Sequence, residues 1–315
     1  MEALPKLIAQ ARTELSKGVV GQQEFVEQVL LAVLCGGHAL IEGVPGLAKT
    51  LVVKVTARLL NIGFQRVQCT SDLMPADIIG GNVFNMATST FAVHKGPLFT
   101  DLLLADEINR MPPRTQAALL EAMEERQITI ERTKYPLSEF FTVLATQNPV
   151  EFEGTYPLPE AQLDRFLLNI KVGYPTADEE VAILERFQNG FDSRQIEELQ
   201  IESVDPDLLR QARMEVRKVK VEPQLFRYVS DIVRRTRDWA TISLGASPRA
   251  GVALLNVSKA IAGMDNRDYV IPDDVKQATK PVLRHRLSVK PEAELEGVDT
   301  DAILTDVLAA IEVPK

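Results

Sequence analysis

Two hydrophobic periods alternate along the chain. Leu4, Leu7, Ile8, Ala11 and Leu15 recur at helical spacing and predict an amphipathic helix over residues 4–17. After a break at Val19-Val20-Gly21-Gln22, the residues Phe25, Val26, Val29, Leu30, Val33 and Leu34 repeat that period until Gly36-Gly37 stops it. His38-Ala39-Leu40-Ile41 is then apolar without interruption, as a strand buried on both faces requires. Similar strands are expected over residues 102–105, 140–145 and 166–170, and an alternating one over 64–69. Between them the spacing predicts helices over residues 51–60 and 114–124, the latter with Ala117, Ala118 and Leu120 inward, and a short helix after residues 71–77 that ends at Gly80-Gly81. Two hairpins are expected: residues 83–84 with 91–93 around a polar tip at 86–90, and 127–130 with 135–137 around a tip at 131–134. Strands alternating with helices imply a parallel α/β sheet with right-handed crossovers.

The pattern changes at Gly173-Tyr174-Pro175-Thr176. Beyond it no buried strand is expected, and helical segments break at Asn189-Gly190, Asp205-Pro206, Glu222-Pro223, Gly245 and Ile271-Pro272. Residues 1–174 therefore read as an α/β domain and 175–315 as a helical one, closing with one short helix that carries Ile303, Val307, Leu308 and Ile311. At 315 residues, 45% hydrophobic and 25% charged, the chain can bury a sizeable core. A net charge of −9 argues against whole-protein attraction to nucleic acid or to an anionic membrane. The basic stretch from 210 to 220 reads as the solvated face of a helix. Cys35 and Cys69 lie among apolar residues without metal-ligand spacing, and two buried reduced thiols of a cytoplasmic protein are expected. The N-terminal residues do not resemble a signal peptide, and no run of about 18 apolar residues predicts a membrane span.

The chemistry begins between the first strand and the next helix, at Gly43-Val44-Pro45-Gly46-Leu47-Ala48-Lys49-Thr50. Strand, glycine-bearing turn and a helix opening on Lys-Thr form a phosphate-binding layout. The helix N-terminus offers unpaired N–H groups and partial positive charge, and the glycines let the backbone curl around an anion. Lys49 is expected to reach the terminal phosphates and the Thr50 hydroxyl to ligate Mg²⁺. The general pattern has Gly where this chain has Ala48, and alanine fits there if its backbone is already helical, with negative φ.

Asp106-Glu107 follows the strand at 102–105, at the end where α/β sheets place ligand chemistry. Asp106 is expected to hold Mg²⁺, and Glu107 to orient a water for attack on phosphorus. Thr146-Gln147-Asn148-Pro149 ends the next strand, where an amide would reach that water. Arg165, beside Asp164, suits an arginine finger that enters a neighbouring subunit's site; the alternative is a pair with Asp164 or Glu160. In Ser247-Pro248-Arg249, Ser247 fits a helix N-cap and Pro248 the first helical position. Arg249 is then a cation against the helix dipole, which calls for an anionic partner, either a nucleotide phosphate or a carboxylate.

These segments, together with Glu160-Ala161-Gln162-Leu163-Asp164-Arg165-Phe166, closely resemble the MoxR family of AAA+ ATPases over about residues 4–290. Ala48 is itself usual in that family. The resemblance implies an αβα nucleotide-binding domain with strand order 5-1-4-3-2 and an all-α lid. It implies a site for ATP and Mg²⁺: Val20, Gly21 and Gln22 beside adenine; Gly43 to Thr50 (with Leu51 following) as Walker A; Asp106 and Glu107 as Walker B. Asn148 would be sensor 1, Arg165 the finger, with Arg126 or Arg132 as candidates to share that role, and Arg249 sensor 2. The two hairpins resemble the helix-2 insert and pre-sensor-1 hairpin of the clade that includes magnesium chelatases. Proteins of this kind look like ring-forming, usually hexameric, chaperone-like ATPases that work with von Willebrand factor A domain partners on client proteins, often in metal-cofactor loading. The competing expectations are a chelatase-type motor subunit, a nucleic-acid motor, which lacks support from aromatic–basic interleaving, and a non-hydrolysing scaffold, which would not need Glu107, Asn148 and Arg165.

Overall fold

The computed structural model describes residues 2–86, 89–149, 154–192 and 199–314. Helices α1 (Ala3–Gly18) and α2 (Gln23–Cys35) lead into β1 (Ala39–Glu42), α3 (Lys49–Leu59) and β2 (Phe64–Gln68). The short α4 (Pro75–Ile79) opens the first hairpin, β3 (Gly80–Asn85) with β4 (Thr90–Lys95). Of its expected tip, residues 87 and 88 lie outside the described residues. Then come β5 (Leu102–Asp106), α5 (Pro113–Glu125), the second hairpin of β6 (Gln127–Ile130) and β7 (Thr133–Pro136), and β8 (Thr142–Gln147). One helical turn, α6 (Glu160–Leu163), precedes β9 (Leu168–Lys171).

The central sheet runs β2-β5-β8-β1-β9, all neighbours parallel. Numbered among the sheet strands alone, this is the 5-1-4-3-2 order that was expected. Successive side chains of a strand point to opposite faces, and both faces are covered. Ala39, Ile41, Leu102, Leu104 and Leu144 join one core with α1–α3, while Leu40, Leu103, Ala105, Val143 and Ala145 join a second beneath α5 and the second hairpin. Two strands start later than their apolar runs. Phe141 N–H closes a turn onto Ser138 O, and Phe166 N–H one onto Leu163 O, so these rings are buried without pairing in the sheet. On α5, Ala117 is exposed rather than inward. Gln116 takes the inner arc instead, donating to the carbonyls of Ile108 (3.2 Å) and Tyr156 (3.0 Å).

The remaining chain is helical: α7 (Ala177–Gln188), α8 (Pro206–Lys218), α9 (Pro223–Arg237), α10 (Pro248–Met264), α11 (Pro272–Leu283), α12 (Pro291–Leu295) and α13 (Thr300–Ala309). Proline opens five of these seven, where its missing N–H costs nothing, while Pro281 lies inside α11. Two expectations need correction. The tail holds two helices, α12 and α13, not one. A small antiparallel ribbon, β10 (Ile242–Leu244) with β11 (Ser288–Val289), interrupts the helices, and Ile242 is buried.

Helices α8–α11 and α13 share one core with α1–α3. Glu215 of α8 fastens the start of α1 by accepting the backbone N–H groups of Glu2, Ala3 and Leu4 at 2.9, 3.1 and 2.8 Å. Arg213 corrects the reading of the 210–220 stretch as wholly solvated. It donates to Val33 O (2.9 Å) and Glu139 O (2.8 Å), and burial pushes its guanidinium down to about 10. Both cysteines are free thiols, Cys69 buried and Cys35 half-buried, and burial pushes both up to about 12.

Candidate active site

The turn between β1 and α3 has a backbone that few residues fit. A Cβ on Gly43 would lie 2.8 Å from Val172 O, so glycine lets the chain pass the exit of β9. Gly46 has φ +86° and open space where a Cβ would be. Ala48 has φ 55°, ψ 19°, the left-handed region, contrary to the negative φ expected for it. The glycine of the general pattern adopts this conformation freely; alanine is strained there by about 1–2 kcal/mol. Glycine loses about 0.5–1 kcal/mol more backbone entropy on folding. Ala48→Gly is therefore expected to leave stability in denaturant unfolding unchanged or raised by up to about 1.5 kcal/mol. A loss above about 1 kcal/mol, as for alanine-to-glycine inside a helix, would contradict this backbone assignment.

Lys49 is the first residue of α3, and its Nζ donates to Gly43 O at 2.7 Å. Burial lowers its pKa, while Asp106 and Glu107 pull it back upward. Those two carboxylates are held by a network on the ends of three adjacent strands. Asp106 accepts from Thr146 Oγ1 at 2.6 Å and pairs with Arg66 Nη2 at 2.6 Å. Glu107 accepts from Gln68 Nε2 at 3.0 Å and pairs with Arg110 Nε at 3.3 Å, while its own N–H donates to Thr146 Oγ1 at 2.8 Å. Glu107 is also left-handed, with φ 60°, ψ 55°. Strain of this kind is kept where the surroundings fix a functional side chain.

A cavity of 940 Å³ opens over this network. Its floor is Pro45, Gly46, Leu47, Ala48, Lys49, Thr50 and Leu51; Asp106, Glu107, Thr146 and Asn148 form one wall. Val20 lines the far end with Gly18 and Val19. Gln147 lines a different cavity, and Asn148 is the amide that lines this one. Gly43 and Val44 support the loop from below. Gly21 and Gln22 do not line the cavity. A Cβ on Gly21 would meet Glu179 at 2.2 Å, and Gln22 Nε2 donates to Gly173 O at 2.9 Å, so this turn seats the start of α7.

The sequence reading missed a third wall. Ile183, Arg186 and Phe187 of α7 close the Val20 end, and Arg186 fastens α7 by donating to the carbonyls of Ser16 (2.9 Å) and Lys17 (3.0 Å). Arg66 and Gln68 were also missed, although the alternation of β2 places both on one face at the strand end.

Arg165 and Arg249 lie elsewhere, around a second cavity of 480 Å³. Neither Asp164 nor Glu160 holds Arg165; its partner is Glu124, at 3.1 Å. Arg249 takes the carboxylate alternative, also on Glu124, at 3.5 Å. Ser247 stands at the N-cap position of α10, but its hydroxyl donates to Asp164 at 3.4 Å and makes no cap hydrogen bond. Arg126 is set aside as a second finger. It is the C-cap of α5 and donates to Phe141 O (2.8 Å) and Gly36 O, a structural clamp. Arg132 sits exposed in the turn between β6 and β7.

The profile of the ATPase family associated with various cellular activities (AAA) matches residues 38–168, spanning the phosphate loop and the acidic pair, and an AAA lid domain profile matches 234–307. Chaperone MoxR1 of Mycobacterium tuberculosis is 41% identical over 96% of this chain and 81% of its own length. The chain belongs to the MoxR family of AAA+ ATPases. The Bacillus subtilis protein YeaC is 40% identical over 99% of the chain and 97% of its own. A Cytophaga hutchinsonii protein of known crystal structure superposes with a TM-score of 0.91 at 41% identity, covering 99% of this chain and 96% of that one. The family match and these relatives make the chain an ATPase. No helix among the described residues is long and apolar enough to cross a membrane.

Proposed function

We propose that this chain is a Mg²⁺-dependent, ring-forming ATPase, usually six subunits, that remodels or matures client proteins in the cytoplasm. The carrying observation is the convergence of Lys49, Thr50, Asp106, Glu107 and Asn148 on one cavity at the C-terminal edge of a parallel sheet. The donors suit a nucleotide with magnesium. Among the described residues no three His, Cys, Asp or Glu side chains form a metal site on their own. A cation here would be held by one carboxylate, one hydroxyl, water and phosphate oxygens. Asp106 and Thr50 would hold it, and bound there it supplies charge neutralisation at the terminal phosphates. Lys49 leaves Gly43 O to take the phosphates, joined by the N–H groups at the start of α3. Glu107 is placed to hold a water and draw its proton, with Asn148 orienting that water from the side. Val20, Ile183 and Phe187 offer an apolar seat for the base.

The ring rests on membership of the AAA+ family, and Arg165, on another face, would complete the site of an adjacent subunit. The exposed apolar hairpin residues Val83, Phe84, Met86 and Phe91 offer a client-facing surface, which suits a chaperone role; a von Willebrand factor A domain partner and metal-cofactor loading are carried over from the family resemblance. Glu107→Gln is the test. It should bind ATP, lose about 10²–10⁴ in turnover, and sediment with ATP near six times the 34.9 kDa chain mass. A fully active variant would remove Glu107 from the mechanism, and a monomer at every concentration would remove the ring.

A further inference from the structure

Arg165 and Arg249 come from separate parts of the chain and meet at one carboxylate. Glu124, near the end of α5, has Oε2 at 3.1 Å from Arg165 Nη2 and Oε1 at 3.5 Å from Arg249 Nη1. The other cations of this cavity are committed. Arg126 donates to two backbone carbonyls, Lys259 to Arg217 O, and Arg286 to Phe166 O at 2.7 Å while pairing with Asp164 at 3.1 Å. Among the described residues Arg165 and Arg249 have Glu124 alone. Arg249 also stands in the first turn of α10, against the helix dipole, where only an anion makes a cation favourable. Two guanidiniums facing one carboxylate leave the cluster a positive charge in excess.

We propose that Glu124 is a positioning residue for both arginines. It holds them side by side as a two-pronged anion site and yields them to the terminal phosphates of a nucleotide in an adjacent copy's phosphate loop. This rests on the reading of Arg165 as a group that acts between subunits. The carboxylate keeps the pair ordered in the free chain and competes with the incoming phosphate for the same N–H donors. A phosphate with two or more negative charges neutralises both guanidiniums, whereas the single carboxylate contacts both but balances only one.

Glu124→Gln keeps the size and an acceptor oxygen but removes the competing charge. The protein concentration giving half-maximal specific ATPase activity is expected to fall about fivefold, the scale of one half-exposed ion pair. Sedimentation with ATP should shift to larger species at correspondingly lower concentration. Glu124→Asp, which keeps the charge but shortens the reach, should lower the half-maximal concentration less than Glu124→Gln does. A half-maximal concentration equal to or above wild type in Glu124→Gln, with Arg165→Ala inactive, would overturn the role of Glu124 while leaving Arg165 in place. Full, concentration-independent activity of Arg165→Ala would overturn the underlying reading instead.

Discussion

Lys49→Ala is expected to abolish nucleotide binding, with affinity for ATP falling on the order of 10²-fold or more. Lys49 is the one ammonium at the head of α3, partly buried and facing Asp106 and Glu107 across the cavity. Its removal takes away the ammonium that the loop itself supplies, and the remaining cations near the acidic pair, Arg66 and Arg110, are already paired with Asp106 and Glu107. The loop itself should survive. Lys49 contributes one hydrogen bond to Gly43 O, whereas the loop's shape comes from the φ values of Gly46 and Ala48 and from the packing of Gly43 on Val172. Isothermal titration with ATP measures the effect, and unfolding in denaturant shows the fold intact. Wild-type affinity in Lys49→Ala would remove the loop from phosphate binding.

Arg165→Ala is expected to reduce turnover by about 10³–10⁵, with ATP binding retained because Arg165 does not line the phosphate-loop cavity. A guanidinium that meets the phosphate only when a neighbour docks contributes to the transition state and little to the ground state. The split between turnover and binding separates it from Lys49. Loss of ATP affinity in the isolated Arg165→Ala chain would point to a structural role through Glu124.

The phosphate loop was legible in the sequence because its demands are local: glycine at Gly43 and Gly46, then Lys-Thr at a helix start. Asp106 and Glu107 were legible because an apolar strand ending in acids is a contiguous signal. The sign of φ at Ala48 was not. A residue's side chain does not report whether its neighbours force the backbone left-handed. Phe187 and Glu124 carried no local signature either, and the alternation of β2 puts Arg66 and Gln68 on one face without saying what they meet. Each matters through what the fold brings to it, Arg66 across the sheet to Asp106 and Glu124 from α5 to α10. The ribbon of β10 and β11 is three and two residues long, too short to show a period of two. Arg213 read as surface because its neighbours are basic, yet the carbonyls of Val33 and Glu139 draw it inward.

The most direct test of a site completed between subunits mixes two inactive variants. Glu107→Gln lacks the group that activates water but presents an intact Arg165. Arg165→Ala has an intact phosphate-loop cavity but presents no finger. In head-to-tail rings formed from equal amounts, about a quarter of the sites pair an intact cavity with an intact finger. Hydrolysis by the mixture is predicted to recover to about a quarter of the wild-type rate, while each variant alone stays inactive. Mixed rings, verified by sedimentation, that remain inactive at every ratio would contradict the account.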